Sequence, residues 1–166
     1  MIPSRHPALR RRLSGRLLGC LPAVVLLSAA VGCSATDATA SVAVPSPPPP
    51  EAKLCDALHK ALPKTLAGLD RKDPEPSSEL TAGWGDGAIV LRCGIPRPAK
   101  MTDPAANAVE ADGVNWLVEQ RDSGPRFTTT YRKTYVEVTM GKQYANDATP
   151  LAGLAEPVKK TVPASL

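Results

Sequence analysis

The stretch from Trp84 to Gly94 constrains the fold of this chain more than any other segment. Near its start, Asp86-Gly87 can adopt the positive φ angles of a type I′ turn, which joins two antiparallel strands. The residues after the turn, 88–93, place apolar side chains on both faces of a strand, a pattern typical of a central strand. The sequence therefore predicts a β-hairpin whose second strand lies inside a sheet.

Helices are predicted at both ends of the region that contains this hairpin. Leu54, Leu58 and Leu62 recur every four residues and predict a helix over 51–62, and an apolar stripe from Leu151 to Val162 predicts a second helix near the C-terminus. Stretches rich in β-forming residues lie between them, at 80–84, 88–93, 109–111, 114–120, 126–131 and 134–140. The expected fold is α+β: a small antiparallel meander of about four to six strands, with an N-terminal and a C-terminal helix on one face.

Residues 1–32 have the pattern of a signal peptide. Five arginines and no acidic residue precede residue 17, and the apolar run 17–30 that follows is shorter than the roughly 20 residues of a membrane span. The run ends in Ala30-Val31-Gly32-Cys33, which resembles the lipobox of bacterial lipoproteins. We therefore expect Cys33 to be lipidated and to attach the chain to the outer face of the cell membrane.

Other interpretations of this leader stay open. Leu17-Leu18-Gly19-Cys20 also matches the lipobox letters, but it precedes most of the apolar run. The leader is also compatible with an ordinary cleaved signal peptide, with an uncleaved anchor and, through Arg10-Arg11-Arg12, with twin-arginine export. Residues 33–50 are proline-rich and predict a polyproline II spacer or, alternatively, a ligand motif for a partner. Residues 51–166 are the predicted extracytoplasmic domain.

The net charge of +4 does not indicate nucleic-acid binding, because the basic residues are concentrated in the leader. Of 20 lysines and arginines, five precede residue 17, which leaves 15 basic against 16 acidic side chains from Cys33 onward. A nucleic-acid-binding domain carries its basic residues on the folded part. We therefore expect no nucleic-acid partner.

Cys55 and Cys93 remain once Cys20 and Cys33 are assigned to the leader and the anchor. A pair of cysteines outside the cytoplasm is most simply a disulfide, which would tie the first helix to the central strand. The alternative is that Cys55 acts as a nucleophile with His59, one helical turn away. No third orienting group is evident for it, so the disulfide is the favoured interpretation.

Neither a catalytic site nor a metal site is predicted. His59 is the only histidine after the leader, no cysteines have ligand spacing, and no glycine-rich loop leads from a strand into a helix. The acidic residues between Asp70 and Glu79 lack the spacing of a calcium loop and are expected to be solvated. No cofactor is expected. Carboxylates brought together by folding remain an alternative source of catalysis.

Two surfaces are candidates for binding. One is the predicted hairpin tip, where Trp84 and Asp86 would form a contact surface unless Trp84 packs in the core, as tryptophans usually do. The other consists of polar positions on the predicted strands, where alternation places side chains on the face away from the core. These positions are Thr128, Thr130, Glu137 and Thr139.

Four segments together resemble a known family, the small actinobacterial lipoproteins whose domain has no known function. They are Leu54-Cys55, Glu79 to Asp86, Ile89 to Gly94, and Gly113 to Leu117. The resemblance covers about residues 52–160 and implies an exported, membrane-attached envelope protein. It supplies no activity, cofactor or catalytic residue.

The expected function is that of a lipid-anchored, non-enzymatic envelope module that binds an envelope protein or a cell-wall component. An enzyme that modifies envelope polymers through carboxylates is the alternative, and a purely structural role is a third possibility. Carboxylates in a deep cleft would favour the enzyme.

Overall fold

A computed structural model describes residues 40–165. They form two α-helices, a six-stranded sheet and a small hairpin whose two strands have two residues each. Helix α1 spans Pro49–Ala61 and helix α2 spans Ala152–Thr161. The hairpin consists of β1 (Thr65–Leu66) and β2 (Leu69–Asp70). The strands of the large sheet are β3 (Thr81–Trp84), β4 (Ile89–Ile95), β5 (Ala108–Ala111), β6 (Val114–Glu119), β7 (Arg126–Thr129) and β8 (Tyr135–Met140).

The large sheet is antiparallel throughout, with the order β3-β4-β8-β7-β6-β5. The predicted α+β fold with a helix at each end of the domain is confirmed. One connection departs from a continuous meander. After β4 the chain passes to the far edge of the sheet before β5 begins, and β8 later pairs with β4. We call the connecting segment, residues 96–107, the crossover.

The predicted turn at Asp86-Gly87 is present in the large sheet, and Asp112-Gly113 forms a second turn of the same kind. Asp86 and Gly87 have φ angles of 53° and 86°, and Asp112 and Gly113 have φ angles of 47° and 81°. These left-handed values are those of a type I′ turn, and they are accessible to aspartate and glycine at low cost. The turns set the registers of β3 with β4 and of β5 with β6.

The hydrophobic core lies between one face of the sheet and both helices. Trp84 and Trp116, from opposite halves of the sheet, are fully buried there, and Trp84 Nε1 donates a hydrogen bond to Pro63 O at 3.1 Å. The helices contribute buried apolar side chains at helical spacing: Cys55 and Leu58 from α1, and Leu154, Ala155 and Val158 from α2. This single core includes every strand of the large sheet except β5, whose Val109 and Ala111 pack against it.

Cys55 and Cys93 form the predicted disulfide, with their Cα atoms 5.5 Å apart. Both residues are buried in the core, where the bond joins α1 to β4 across a sequence separation of 38 residues. The first helix is therefore attached covalently to a central strand.

Part of the predicted spacer belongs to the folded domain, so the predicted boundary at residue 51 is too late. Val42 N donates to Glu75 O at 2.9 Å, and Arg92 Nη1 donates to Ala43 O at 3.2 Å. Pro47 packs so closely on Gly94 that a Cβ there would lie 2.5 Å from Pro47 Cγ. Residues 40–48 therefore lie along the domain, and α1 begins at Pro49 within the predicted spacer.

The predicted signal peptide, Cys20 and Cys33 lie outside the described residues. Within residues 40–165, neither helix has the length and hydrophobicity needed to cross a bilayer.

Candidate functional site

The face of the sheet away from the helices, which we call the second face, carries most of the polar strand side chains. Strand pairing aligns residues across it into two rows. Opposed residues in a sheet share a face, so each row lies on one side. One row is Arg92, Glu137, Thr128, Leu117 and Ala108, and the other is Val90, Thr139, Arg126 and Glu119.

Four charged side chains form a continuous ion-pair network on the second face. Arg92 Nε lies 2.9 Å from Glu137 Oε1, and Arg126 Nη1 lies 3.4 Å from Glu137 Oε2. Arg126 also contacts Glu119, with Nη2 at 2.6 Å from Oε2. The Glu137 side chain is only 5% exposed, so these arginines take the place of water as partners of its carboxylate oxygens. The network links β4, β8, β7 and β6.

The crossover lies beside this network. Residues from both line a cavity of about 340 Å³, with Pro98 and Lys100 facing Glu119 and Glu137. The crossover's short 3₁₀ turn, Ala99–Thr102, is closed by an ion pair of Lys100 with Asp103. The hydrogen bond of that pair raises the pKa of Lys100 and lowers the pKa of Asp103. Glu119 and Glu137 therefore border a cavity whose opposite wall is a folded segment.

Three adjoining cavities form a groove along one side of the second face. Their volumes are about 430, 530 and 260 Å³. The first two share Arg97 and Tyr135, and the last two share Asn115, Thr130 and Tyr131. Because neighbouring cavities have common walls, we treat them as one site and call it the groove.

The lining of the groove changes along its length. The first cavity is lined by Pro47, Pro48 and Glu51, and the central one also by Met101, Asn107 and Leu117. The third adds Gly113, Arg132 and Ala164. Hydroxyl, amide, aromatic and guanidinium groups thus line the groove together with apolar side chains. A mixture of apolar and polar groups is usual in a ligand site.

Tyr131 is the most exposed large hydrophobic side chain in the described part, at 65%, and it faces the groove. Its φ is 55°, a left-handed value that is costly for a bulky residue. The C-terminal segment holds this conformation, because Ser165 N donates to Tyr131 O at 3.0 Å and Arg132 pairs with Ala164 in an antiparallel bridge. A strained backbone that displays an aromatic ring is typical of a functional position.

Two arginines line the groove: Arg97 lines its first and central cavities, and Arg132 lines its third. The exposed Arg97 makes one long hydrogen bond to Met101 O, at 3.5 Å, and no carboxylate pairs with it in the region 40–165. Arg132 donates to the backbone oxygens of Val162, at 3.1 Å, and Gly113, at 3.5 Å. Carbonyl oxygens carry no net charge, so both guanidinium groups leave positive charge at the groove.

The predicted hairpin-tip surface is not formed by both of its residues. Trp84 is fully buried, so its packing interpretation is the correct one and it is not a contact residue. The Asp86 side chain is exposed, and its carboxylate accepts a hydrogen bond from Lys72 Nζ at 2.5 Å. The tip therefore presents an ion pair and no aromatic ring.

The predicted strand polar positions divide between the groove and the rest of the second face. Thr130 lines the groove. Thr128 is fully buried, and its hydroxyl has no hydrogen-bond partner among the described residues. Glu137 is held in the network, and Thr139 is half-buried beside Arg126 in the same row. Sequence reasoning missed the residues that distinguish the groove: Arg97, Asn115, Tyr131, Arg132 and Tyr135.

The alternative of a Cys55 nucleophile is excluded by the disulfide, which leaves Cys55 without a thiol. His59 has structural partners instead. Its Nδ1 lies 3.1 Å from Thr81 O and its Nε2 lies 2.9 Å from Arg71 Nη2. Arg71 is also paired with Asp73 at 2.8 Å. These contacts join α1 to the loop before β3.

The described residues contain no group of three or more histidine, cysteine or acidic side chains arranged to hold a metal ion. Of the acidic residues between 70 and 79, Asp73 is paired with Arg71, and Asp70 accepts a hydrogen bond from Thr65 Oγ1 at 3.4 Å.

One family model matches residues 18–166, and its description is "Protein of unknown function (DUF3515)". The match includes all of residues 40–165, so it covers the sheet, both helices and the groove. No curated protein and no solved structure matches the chain. The predicted resemblance to a family whose domain has no known function is confirmed in that respect. The chain belongs to the DUF3515 family.

Proposed function

We propose that this protein is anchored to the outer face of the cell membrane through a lipid on Cys33 and binds an envelope polymer in the groove. The observation that carries the proposal is the groove itself, in which three cavities share walls and present aromatic, amide and guanidinium groups. A site of this kind can hold a ligand without performing chemistry on it.

The sequence supports the anchor through the basic leader, the short apolar run and the lipobox-like residues before Cys33. Residues 34–39 separate Cys33 from the first described residue, Ala40. A fully extended chain of that length reaches about 25 Å. A domain held this close to the bilayer would bind polymers in the layer next to the membrane.

The groove favours binding over hydrolysis. Among the described residues that line it, Glu51 is the only carboxylate, and Glu51 Oε2 accepts a hydrogen bond from Thr134 Oγ1 at 2.8 Å. Glycoside hydrolysis commonly uses a pair of carboxylates on either side of the bond that is cleaved. Glu119 and Glu137 are not such a pair, because both are bound by arginine beside the crossover.

Lipidation is expected to depend on Cys33. Metabolic labelling of the producing cells with a fatty-acid analogue should mark the wild-type chain and leave Cys33→Ala unlabelled. Cys20→Ala serves as the matched control, because it removes the other lipobox-like cysteine, and it should retain the label. Equal labelling of wild type and Cys33→Ala would reject this anchor.

Binding is expected to depend on Tyr131. The test uses residues 34–166, which we call the leaderless chain and which retain the whole described part. The chain is expressed under oxidising conditions, so that the disulfide can form, and mixed with insoluble cell-wall material. Sedimentation should show that Tyr131→Ala weakens binding at least about tenfold, because an exposed aromatic is a typical anchor of a binding site. Asp86→Asn removes the charge at the hairpin tip and should bind like wild type.

Two outcomes would reject the groove as the binding site. One is that the leaderless chain sediments with no wall fraction. The other is that Asp86→Asn loses binding and Tyr131→Ala does not, which would assign recognition to the hairpin tip.

A further inference from the structure

We infer that the ligand of the groove is an acidic glycan chain, bound along its length with carboxylate groups at Arg97 and Arg132. This inference rests on the proposed function, since it assigns a chemical class to the polymer that the groove would hold. It is carried by the shape of the groove, by its side chains and by the placement of its two arginines.

The shape favours a chain of repeating units. The groove is divided into three linked compartments, each of which shares walls with the next. The central compartment has a volume of about 530 Å³ and the outer two have volumes of about 430 and 260 Å³. A compact small molecule would fill one compartment and leave the others empty, whereas a polymer can occupy all three with successive units.

The side chains favour a saccharide. Tyr131 and Tyr135 offer aromatic rings that can cover the apolar C–H face of a sugar ring. Asn107 and Asn115 supply amide groups, each able to donate and accept hydrogen bonds, beside the hydroxyl of Thr130. Both asparagines are exposed, so these groups can be reached by the hydroxyls of a ligand.

The backbone argues against an extended peptide, which would add a strand to an open sheet edge. The groove residues on strands are already paired: Asn115 O accepts from Thr130 N at 2.8 Å, and Tyr135 pairs with Ile95. Of the edge strand β5, only Ala108 lines the groove. Recognition must therefore come mainly from side chains, as in saccharide binding.

The charges favour an acidic glycan over a neutral one. Arg97 has no carboxylate partner among residues 40–165, and Arg132 is hydrogen-bonded only to backbone oxygens in the contacts described above. Guanidinium groups bind carboxylates through two parallel hydrogen bonds. Arg97 lines the first and central cavities and Arg132 lines the third, so the two suit acidic groups that recur along a chain.

The test compares two tetrasaccharides by isothermal titration with the leaderless chain. One alternates N-acetylglucosamine with N-acetylmuramic acid and carries free lactyl carboxylates; the other is tetra-N-acetylchitotetraose, which has the same β-1,4 linkage and no charge. We expect the acidic probe to bind at least about tenfold more tightly, with an advantage that shrinks as salt is raised. Arg97→Gln should remove most of this advantage, and Arg97→Lys should keep part of it.

The matched control is Arg121→Gln, which makes the same charge change at an exposed position that does not line the groove. It should leave the advantage unchanged. If both probes bound equally well and Tyr131→Ala lost this binding, the inference of an acidic glycan would be overturned. The proposed function of the groove would still stand. Binding of a proline-rich peptide in place of both glycans would also overturn the inference. If the leaderless chain bound neither of the two glycans and no cell-wall material, the inference and the proposed function would both be overturned.

Discussion

Loss of the Cys55–Cys93 disulfide is expected to lower the free energy of unfolding by about 4 kcal/mol, the value that the chain-entropy model assigns to a closed loop of this length. The bond limits the unfolded chain more than the folded one, in which α1 already packs on β4. Chemical denaturation of the leaderless chain with and without reductant measures the difference directly.

The leaderless chain makes this experiment specific, because it contains no cysteine other than Cys55 and Cys93. A Cys55→Ala/Cys93→Ala double variant should be destabilised to a similar extent, and reductant should have no further effect on it. Unfolding that is indifferent to reductant in the wild type, together with two free thiols by mass spectrometry, would contradict the pairing.

The local features of this fold were predictable because short-range chemistry determines them. Asp86-Gly87 and Asp112-Gly113 adopt the left-handed backbone that a type I′ turn requires, whatever packs around them. The two cysteines could be paired because the leader accounts for the others. Alternation and helical spacing then placed the helices and strands within a few residues of their observed bounds.

The position of the proline-rich segment could not be predicted in the same way. Proline restricts φ and so predicts an extended chain, but it does not say what that chain contacts. The segment packs on the domain because Gly94 has no side chain and accepts Pro47 closely. The start of α1 carried a local signal, since proline is well suited to the first position of a helix.

The groove escaped prediction for a topological reason. Its walls come from the crossover, from β6, and from the corner after β7. No local pattern indicates that residues 96–107 pass over the sheet to its far edge, so Arg97 and Asn115 had no apparent relation in the sequence. Tyr131 gave no signal either, because its left-handed backbone depends on pairing with the C-terminal segment.

Glu137→Ala is expected to destabilise the leaderless chain by about 3 kcal/mol, because it removes the shared partner of two arginines beside the crossover. Arg92 would keep its hydrogen bond to Ala43 O. It would lose Glu137, the only carboxylate with which it forms an ion pair within residues 40–165. Removing one member of a buried pair leaves the other charge poorly solvated, and that cost exceeds the contribution of the pair itself.

Glu119→Ala is the matched control, because it deletes a carboxylate from the same network at its more exposed end. The Glu119 side chain is 19% exposed and contacts Arg126, which would still be paired with Glu137. Its cost should therefore be about 1 kcal/mol, as for ion pairs with access to solvent. Denaturant unfolding of the two variants under identical conditions compares them. If Glu137→Ala cost no more than Glu119→Ala, the burial of Glu137 would not be what makes it important to stability.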